Sequence, residues 1–259
     1  MNIIAIIPAR MGSTRFPGKP MALIHGIPMI GHVYQRTRMC EQVSETYVAT
    51  DDRKIFDYIQ SIDGKAVMTA DTHERCTDRT AEAMLKIEKE SDKKTDIVVM
   101  VQGDEPMVTP EMIEQSITPM LKDSLINVVN LMARMNTVEE FEDPNEVKVA
   151  VGLDGNALYF SREPIPSRKK GTENVTMLKQ VCIIPFRRDY LLKFNSMSET
   201  PLERIESVDM MRILENGEQV RMVMTDAETL SVDTPEDLER VCKLMDGDEL
   251  MYRNRSLPP

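Results

Sequence analysis

"MNIIAIIPARMGSTRFPGKP", residues 1 to 20, begins as a short apolar run and turns at once into a basic, glycine-containing segment. The run "NIIAIIP" at 2–8 does not alternate polar with apolar, which predicts a strand covered on both faces. Three further runs of the same kind follow: "ETYVAT" at 45–50, "KAVMT" at 65–69 and "DIVVMVQG" at 96–103. The intervening stretches "PMIGHVYQRTRM" (28–39), "RKIFDYIQSI" (53–62) and "TAEAMLKIEKE" (80–90) have helical spacing. Buried strands alternating with amphipathic helices make βαβ units. The expected class is therefore α/β, with a mostly parallel, doubly wound sheet. "TPEMIEQSITPML" (109–121) adds a helix with Thr109 as N-cap and Pro110 in its first turn.

Farther along, the pattern changes. "INVVNLMARM" (126–135), "NEVKVAVG" (145–152), "ALYFSR" (157–162) and "KQVCIIPF" (179–186) are strand-like with little helix between them. They predict a mixed or antiparallel elaboration of the sheet. "SRKKGTENVT" (167–176) reads as an exposed loop. "TPLERIESVDMMRILENG" (200–217) reads as one helix, starting at Thr200-Pro201 and stopped by Gly217. "QVRMVMT" (219–225) is the last strand, and "DTPEDLERVCKLM" (233–245) the last helix, capped by Asp233 or Thr234. With no repeat and no long linker, the expected organisation is one domain over 1–259. Its nucleotide-binding half covers about 1–125 and its elaboration about 126–225.

Composition narrows the function. The chain has 32 Lys and Arg against 43 Asp and Glu, a net charge of -11. Such a balance disfavours nucleic acid or an anionic membrane as partner, since both need a basic field. No apolar run approaches the ~18 residues of a membrane span, and the N-terminus lacks the basic start of a signal peptide. Four cysteines without CxxC spacing read as free thiols in a reducing, cytoplasmic setting. Three histidines without metal-ligand spacing give no zinc signature.

Against this acidic background, Arg10, Arg15 and Lys19 fall together just past the first strand. In an open parallel sheet, ligands bind beyond the carboxyl ends of the strands. Pro8 ends the strand, and Ala9, Gly12 and Ser13 leave backbone N–H groups open to phosphate oxygens. Two guanidinium forks and a mobile ammonium suit a nucleoside triphosphate. The plain alternative is a solvated loop whose cations pair with nearby acids. The spacing is not GxxxxGK[ST], so a P-loop ATPase is disfavoured. Asp104 and Glu105 follow a glycine at the end of the fourth strand, where a carboxylate can hold Mg²⁺; otherwise they form an acidic turn. Asp233 is either a helix cap or a second carboxylate for the same ion. Thr77 and Asp78 begin a helix and either cap it or serve a site. Arg162 follows a strand and either meets an anion or lies on the surface.

Taken together, "IPARMGSTRFPGKP", "YVATDD", "VQGDEPMV", "DPNEVKVAV", "ALYFSREPIP", "PLERIE" and "VDTPEDLERV" resemble the 3-deoxy-manno-octulosonate (KDO) cytidylyltransferases, in the same order from residue 3 to about 245. The resemblance implies a nucleotide-diphospho-sugar-transferase-like fold, a homodimer and Mg²⁺ dependence. It implies CTP over the first loop, with Pro8, Ala9, Arg10, Ser13, Arg15, Lys19, Thr77, Asp78, Arg79 and Gln102 in the nucleotide site. Arg10, Lys19 and Asp104 would carry catalysis, Asp104 and Asp233 the metal. Arg75, Gln102, Arg162, Gln180 and Glu206 would serve the acidic acceptor.

Four departures from the family pattern concern the acceptor more than the nucleotide. The family's H-x-S-G-T-D-R is "HERCTDR" here, with Arg75-Cys76 in place of Ser-Gly. Its K-H-x-G-[IV]-Y strand becomes "KQVCIIPF", with Gln180, Cys182 and Ile184 replacing His, Gly and the first Tyr. "IESVDMMRIL" places Asp209 and Met210 in the long helix, and Ser167 follows Ile-Pro where an aromatic often stands. Cytidylyl transfer to a KDO-type sugar acid is the first expectation. The alternatives are a different acidic sugar or a phosphonate as acceptor, a different base preference, or a non-catalytic nucleotide-binding protein.

Overall fold

The computed structural model describes residues 1–12, 15–171 and 175–251. Ser13 therefore lies outside the described residues, as does part of the expected 167–176 loop; its residues 167–171 are exposed. The described residues form two compact units, 1–114 with 228–251, and Gln115–Ala227.

In the first unit, β1 (Ile3–Ala9) is buried at all seven positions. A 3-10 turn, Lys19–Met21, leads to a hairpin of β2 (Leu23–Ile24) and β3 (Ile27–Pro28), joined through His25 and Gly26 at φ 48° and 82°. Then come α1 (Met29–Thr37), β4 (Glu45–Thr50), α2 (Arg53–Ser61), β5 (Lys65–Met68), α3 (Cys76–Ser91) and β6 (Ile97–Val101). These strands run in the order β6-β1-β4-β5, and every pairing is parallel. The four apolar runs and the helices between them are thus the βαβ pattern expected. Burial along their whole length in a parallel sheet explains why β1 and β6 carry no polar position. Asp52 caps α2, accepting from Lys54 N at 2.8 Å.

Thr109 caps α4 (Pro110–Lys122), its hydroxyl accepting from Met112 N at 3.3 Å. The second unit holds β7 (Val129–Arg134), α5 (Val138–Glu142), β8 (Lys148–Val151), β9 (Ala157–Ser161), β10 (Leu178–Val181), β11 (Ile183–Arg187), α6 (Arg188–Ser196), α7 (Pro201–Glu206), α8 (Met210–Glu215) and β12 (Arg221–Met224). Its sheet order is β12-β7-β10-β8-β9. The β12–β7 pair is parallel and the others antiparallel, so the pairing is mixed as the sequence suggested, but these five strands form a sheet of their own and do not extend the first. α9 (Pro235–Leu244) returns to the first unit.

Two elements differ from expectation. "KQVCIIPF" is two strands, interrupted at Cys182. "TPLERIESVDMMRILENG" is two helices, broken at Ser207 with φ 53°. Its start, a capping box of Thr200 and Glu203, and its stop at Gly217 (φ 73°) are as expected. The break lets a buried ion pair close. Arg212 Nε and Nη2 donate to the two oxygens of Glu203 at 2.7 and 2.6 Å. In one continuous helix these residues, nine apart, would face opposite sides, about 13 Å apart along the axis. The chain folds back on itself, and the pair closes inside.

Candidate active site

Three segments of the first unit converge beyond the carboxyl ends of β1 and β6. The loop after β1 closes on itself: Gly18 N donates to Met11 O at 3.1 Å, and Lys19 N to Phe16 O at 3.2 Å. Gly18 sits at φ 77°, a left-handed conformation that glycine adopts without strain. That turn starts the 3-10 helix and aims Lys19 inward. At the end of β6, Gly103 passes close to β1: a Cβ there would stand 3.1 Å from Pro8 O and 3.3 Å from Ile30 Cδ1. Glycine lets the two strand ends approach, and Asp104 follows it directly. The third segment precedes α9, where Val232 N donates to Asp104 O at 3.0 Å. Ile24, Met29, Leu230, Val232, Val241 and Met245 form a buried cluster, with Phe16 and Met107 packed against it. This apolar cluster draws all three segments together.

The polar groups meet above it. Lys19 Nζ donates to Asp104 Oδ2 at 2.8 Å and to Asp233 Oδ1 at 3.2 Å. Arg15 Nη2 reaches the same Asp233 oxygen at 3.0 Å. The Lys19 side chain is only 12% exposed. Burial by itself would push its pKa down, but the two carboxylates and their hydrogen bonds outweigh burial and hold it above the ordinary 10.5. Asp233 is not the helix cap. Thr234 is, its hydroxyl accepting from Asp237 N at 3.2 Å in a capping box with the Asp237 carboxylate. The Asp233 side chain is thereby left to the site. The cations of the first loop do pair with acids: Asp104 comes from the end of β6, and Asp233, expected at a strand end, comes instead from the segment just before α9.

The donor set fits a hard divalent cation. Two carboxylates converge on one point, which the Lys19 ammonium occupies, and both are partly open to solvent, at 22% and 17%. Among the described residues, no cluster of three or more His, Cys, Asp or Glu offers an all-protein cage. Mg²⁺ characteristically takes one or two carboxylates and fills its shell with water and phosphate oxygens.

The other expected nucleotide residues fall into two groups. Arg10 and Gly12 are exposed, with open space where a Gly12 Cβ would be. Pro8 and Ala9 are buried in β1, and Gln102 is half-buried just past β6. Arg75 is the residue before α3 and supplies no side-chain cap, so Thr77 and Asp78 lie in the first turn and are not caps. Thr77 is buried. Arg79, 3% exposed, donates to Thr69 Oγ1 at 2.5 Å and to Asp51 Oδ2 at 3.1 Å. Its guanidinium ties α3 to the ends of β4 and β5. Asp51 belongs to "YVATDD", yet no spacing rule in the sequence pairs it with Arg79.

In the second unit, Arg162 and Glu206 meet each other. Arg162 Nε donates to Glu206 O at 2.8 Å and Nη1 to Pro144 O at 2.9 Å, while Arg162 N donates to Glu206 Oε2 at 2.9 Å. Tyr159 and Ser161 hydroxyls also donate to the Glu206 carboxylate, at 3.0 and 3.2 Å. Lys148, fully buried, donates to Asp143 O and Glu146 O at 2.7 and 2.8 Å; burial draws its pKa down. Lys179 lies between Glu140 and Glu146 at 2.7 and 3.2 Å. The loop 143–146 is therefore held by three cations, of which sequence reading singled out only Arg162. A buried lysine inside a strand run is the signal that could have revealed Lys148 and Lys179, because such a charge needs partners. Gln180 Nε2 donates to Asn130 Oδ1 at 2.5 Å. Ile184 and Met210, at two of the departures, are buried at 2% and 1%.

A cytidylyltransferase family model matches residues 4–222. The 3-deoxy-manno-octulosonate cytidylyltransferase of Geobacter metallireducens is 44% identical over 251 residues, 93% of this chain and 96% of that protein. Its counterpart in Geotalea uraniireducens is also 44% identical, over 93% of this chain and 98% of that protein. A solved structure of CMP:2-keto-3-deoxy-manno-octonic acid synthetase complexed with CTP superposes with a TM-score of 0.87 at 38% identity, covering 96% of this chain and all of that one. A glucose-1-phosphate thymidylyltransferase structure from Bacillus anthracis, described as putative, shares the fold at 15% identity and a TM-score of 0.63.

Proposed function

Since the chain belongs to the cytidylyltransferase family, we propose that it transfers CMP from CTP to an acidic sugar of the 3-deoxy-manno-octulosonate type, releasing pyrophosphate. The observation that carries this reading is the convergence of Arg15, Lys19, Asp104 and Asp233. A hydroxyl of the acceptor attacks the α-phosphorus of CTP. The new O–P bond forms as the bond to the bridging oxygen of pyrophosphate breaks, and the hydroxyl proton passes to water. Arg10, Arg15 and Lys19 bind the triphosphate and neutralise the charge that moves onto its leaving half. The open backbone at Gly12 admits phosphate oxygens. Asp104 and Asp233 would hold Mg²⁺, which would supply further charge neutralisation to the phosphates. Gln102 and Arg75, both half-buried, orient nucleotide and acceptor. Arg79 braces the start of α3. Catalysis of this kind is mostly positioning and electrostatics. The reading includes a homodimer in the cytoplasm; among the described residues no helix is long and apolar enough to cross a membrane.

A second reading keeps cytidylyl transfer and changes the acceptor to another acidic sugar or a phosphonate: Arg75, half-buried before α3, puts a guanidinium fork for an anion where the family pattern has serine. The test is pyrophosphate release with Mg²⁺, scanning four ribonucleoside triphosphates against KDO, other acidic sugars and small phosphonates. Release with CTP and KDO supports the first reading. Release with CTP and only another acid replaces the acceptor, release with another triphosphate replaces the base, and none with any pair defeats the enzymatic reading.

A further inference from the structure

We propose that Lys19 is a tethered counter-ion that closes the Asp104–Asp233 seat to a bare divalent cation and yields it when a triphosphate draws the ammonium away. The inference rests on the metal reading above. The ammonium stands at the point where the two carboxylates converge, 2.8 and 3.2 Å from their oxygens, and its side chain is 12% exposed. Two carboxylates facing one another in a partly buried site repel unless a cation lies between them. In the free protein Lys19 is that cation, and Arg15 adds a second positive charge on Asp233.

A bare ion entering the seat meets this positive charge at contact distance, in a setting where solvent screens it poorly. To bind, it must expel Lys19 and break both ion pairs without offering the ammonium another partner. A nucleoside triphosphate removes that obstacle, because its oxygens give the ammonium a new anion. Lys19 can make the exchange without the loop moving. Its backbone is pinned by Lys19 N to Phe16 O at 3.2 Å and by Ala22 N to Lys19 O at 3.0 Å, while the four-carbon stem swings. Metal and nucleotide are then coupled ligands, each favouring the other, and the coupling is reciprocal. The protein would thereby take up the ion together with the triphosphate and resist filling with the ion alone.

The experiment titrates Mn²⁺, a paramagnetic stand-in for Mg²⁺, into the full chain without nucleotide and follows free Mn²⁺ by electron paramagnetic resonance. Removing a unit charge in contact with the ion in Lys19→Met should tighten bare Mn²⁺ binding by at least about tenfold. Lys19→Arg keeps the charge and should stay near wild type, and Lys19→Met/Asp104→Asn should lose the gain. Should Lys19→Met fail to fold, Lys19→Gln carries the same expectation. Equal bare-ion affinity in wild type and the charge-removing variant overturns the counter-ion role. That result leaves the metal seat standing provided Asp104→Asn still weakens Mn²⁺ binding in the presence of CTP. If neither Asp104→Asn nor Asp233→Asn alters Mn²⁺ binding with CTP, the seat is elsewhere and both readings fall.

Discussion

Replacing Glu203 by Gln should open the α7–α8 hairpin. Glu203 is fully buried and takes both of its strong bonds from Arg212, which is itself 8% exposed. Arg212 Nη1 also lies 3.3 Å from the carbonyls of Phe194 and Met197, and its guanidinium stacks 4.6 Å from the Phe194 ring. Glutamine retains one acceptor but leaves the guanidinium charge buried without its counter-ion. Breaking such a pair from one side costs about 3–5 kcal/mol, whereas replacing both partners with apolar groups of similar size is often neutral. The perturbation is local, so amide hydrogen exchange over residues 200–216 is the appropriate assay. Each ~1.4 kcal/mol is a factor of ten. Protection in the single variant should therefore fall by roughly two to three and a half orders of magnitude. The double variant Glu203→Leu/Arg212→Met should recover most of it. Because α7 ends in Glu206, which anchors Tyr159, Ser161 and Arg162, the single variant should also loosen that end of β9. A loss below about 1 kcal/mol, or a double variant as damaged as the two singles added together, would refute the coupling of these two buried side chains.

Asp233 and Thr234 are neighbours with separable roles. Thr234→Ala should destabilise α9 by about 1 kcal/mol with turnover largely kept, whereas Asp233→Asn should abolish most pyrophosphate release with little change in the melting temperature. Glu82 supplies a pH signature: burial would raise its pKa, but hydrogen bonds from Lys86, the Ala70 N–H and His73 pull it down to about 2. A carboxyl depressed on folding contributes stability that is present above its unfolded value and lost as pH falls toward its folded one. Melting scans should thus show wild type losing stability from about pH 4.5 towards pH 2, and Glu82→Gln flatter across that window.

By itself, the sequence determined the strands and helices of the first unit and the residue types at its strand ends. Buried parallel strands are written as uninterrupted apolar runs, and the helices between them as 3.6-residue periods. Both are local signals, so "NIIAIIP", "ETYVAT", "KAVMT" and "DIVVMVQG" were legible without a structure. The cations behind β1 and the Asp104 carboxylate behind β6 were legible for the same reason, since each sits at a strand end, whereas Asp233 lies just before α9. Tertiary structure alone decided which of Asp233 and Thr234 caps α9, because both residue types cap helices and only packing chooses between them. It also decided that Lys19 is the point where Asp104 and Asp233 meet: ion pairs across 85 and 214 residues of chain leave no periodicity to read. The break at Ser207 belongs to the same class. Helical spacing runs through it unbroken, and the contact of Glu203 with Arg212, nine residues on, exists only in the folded chain.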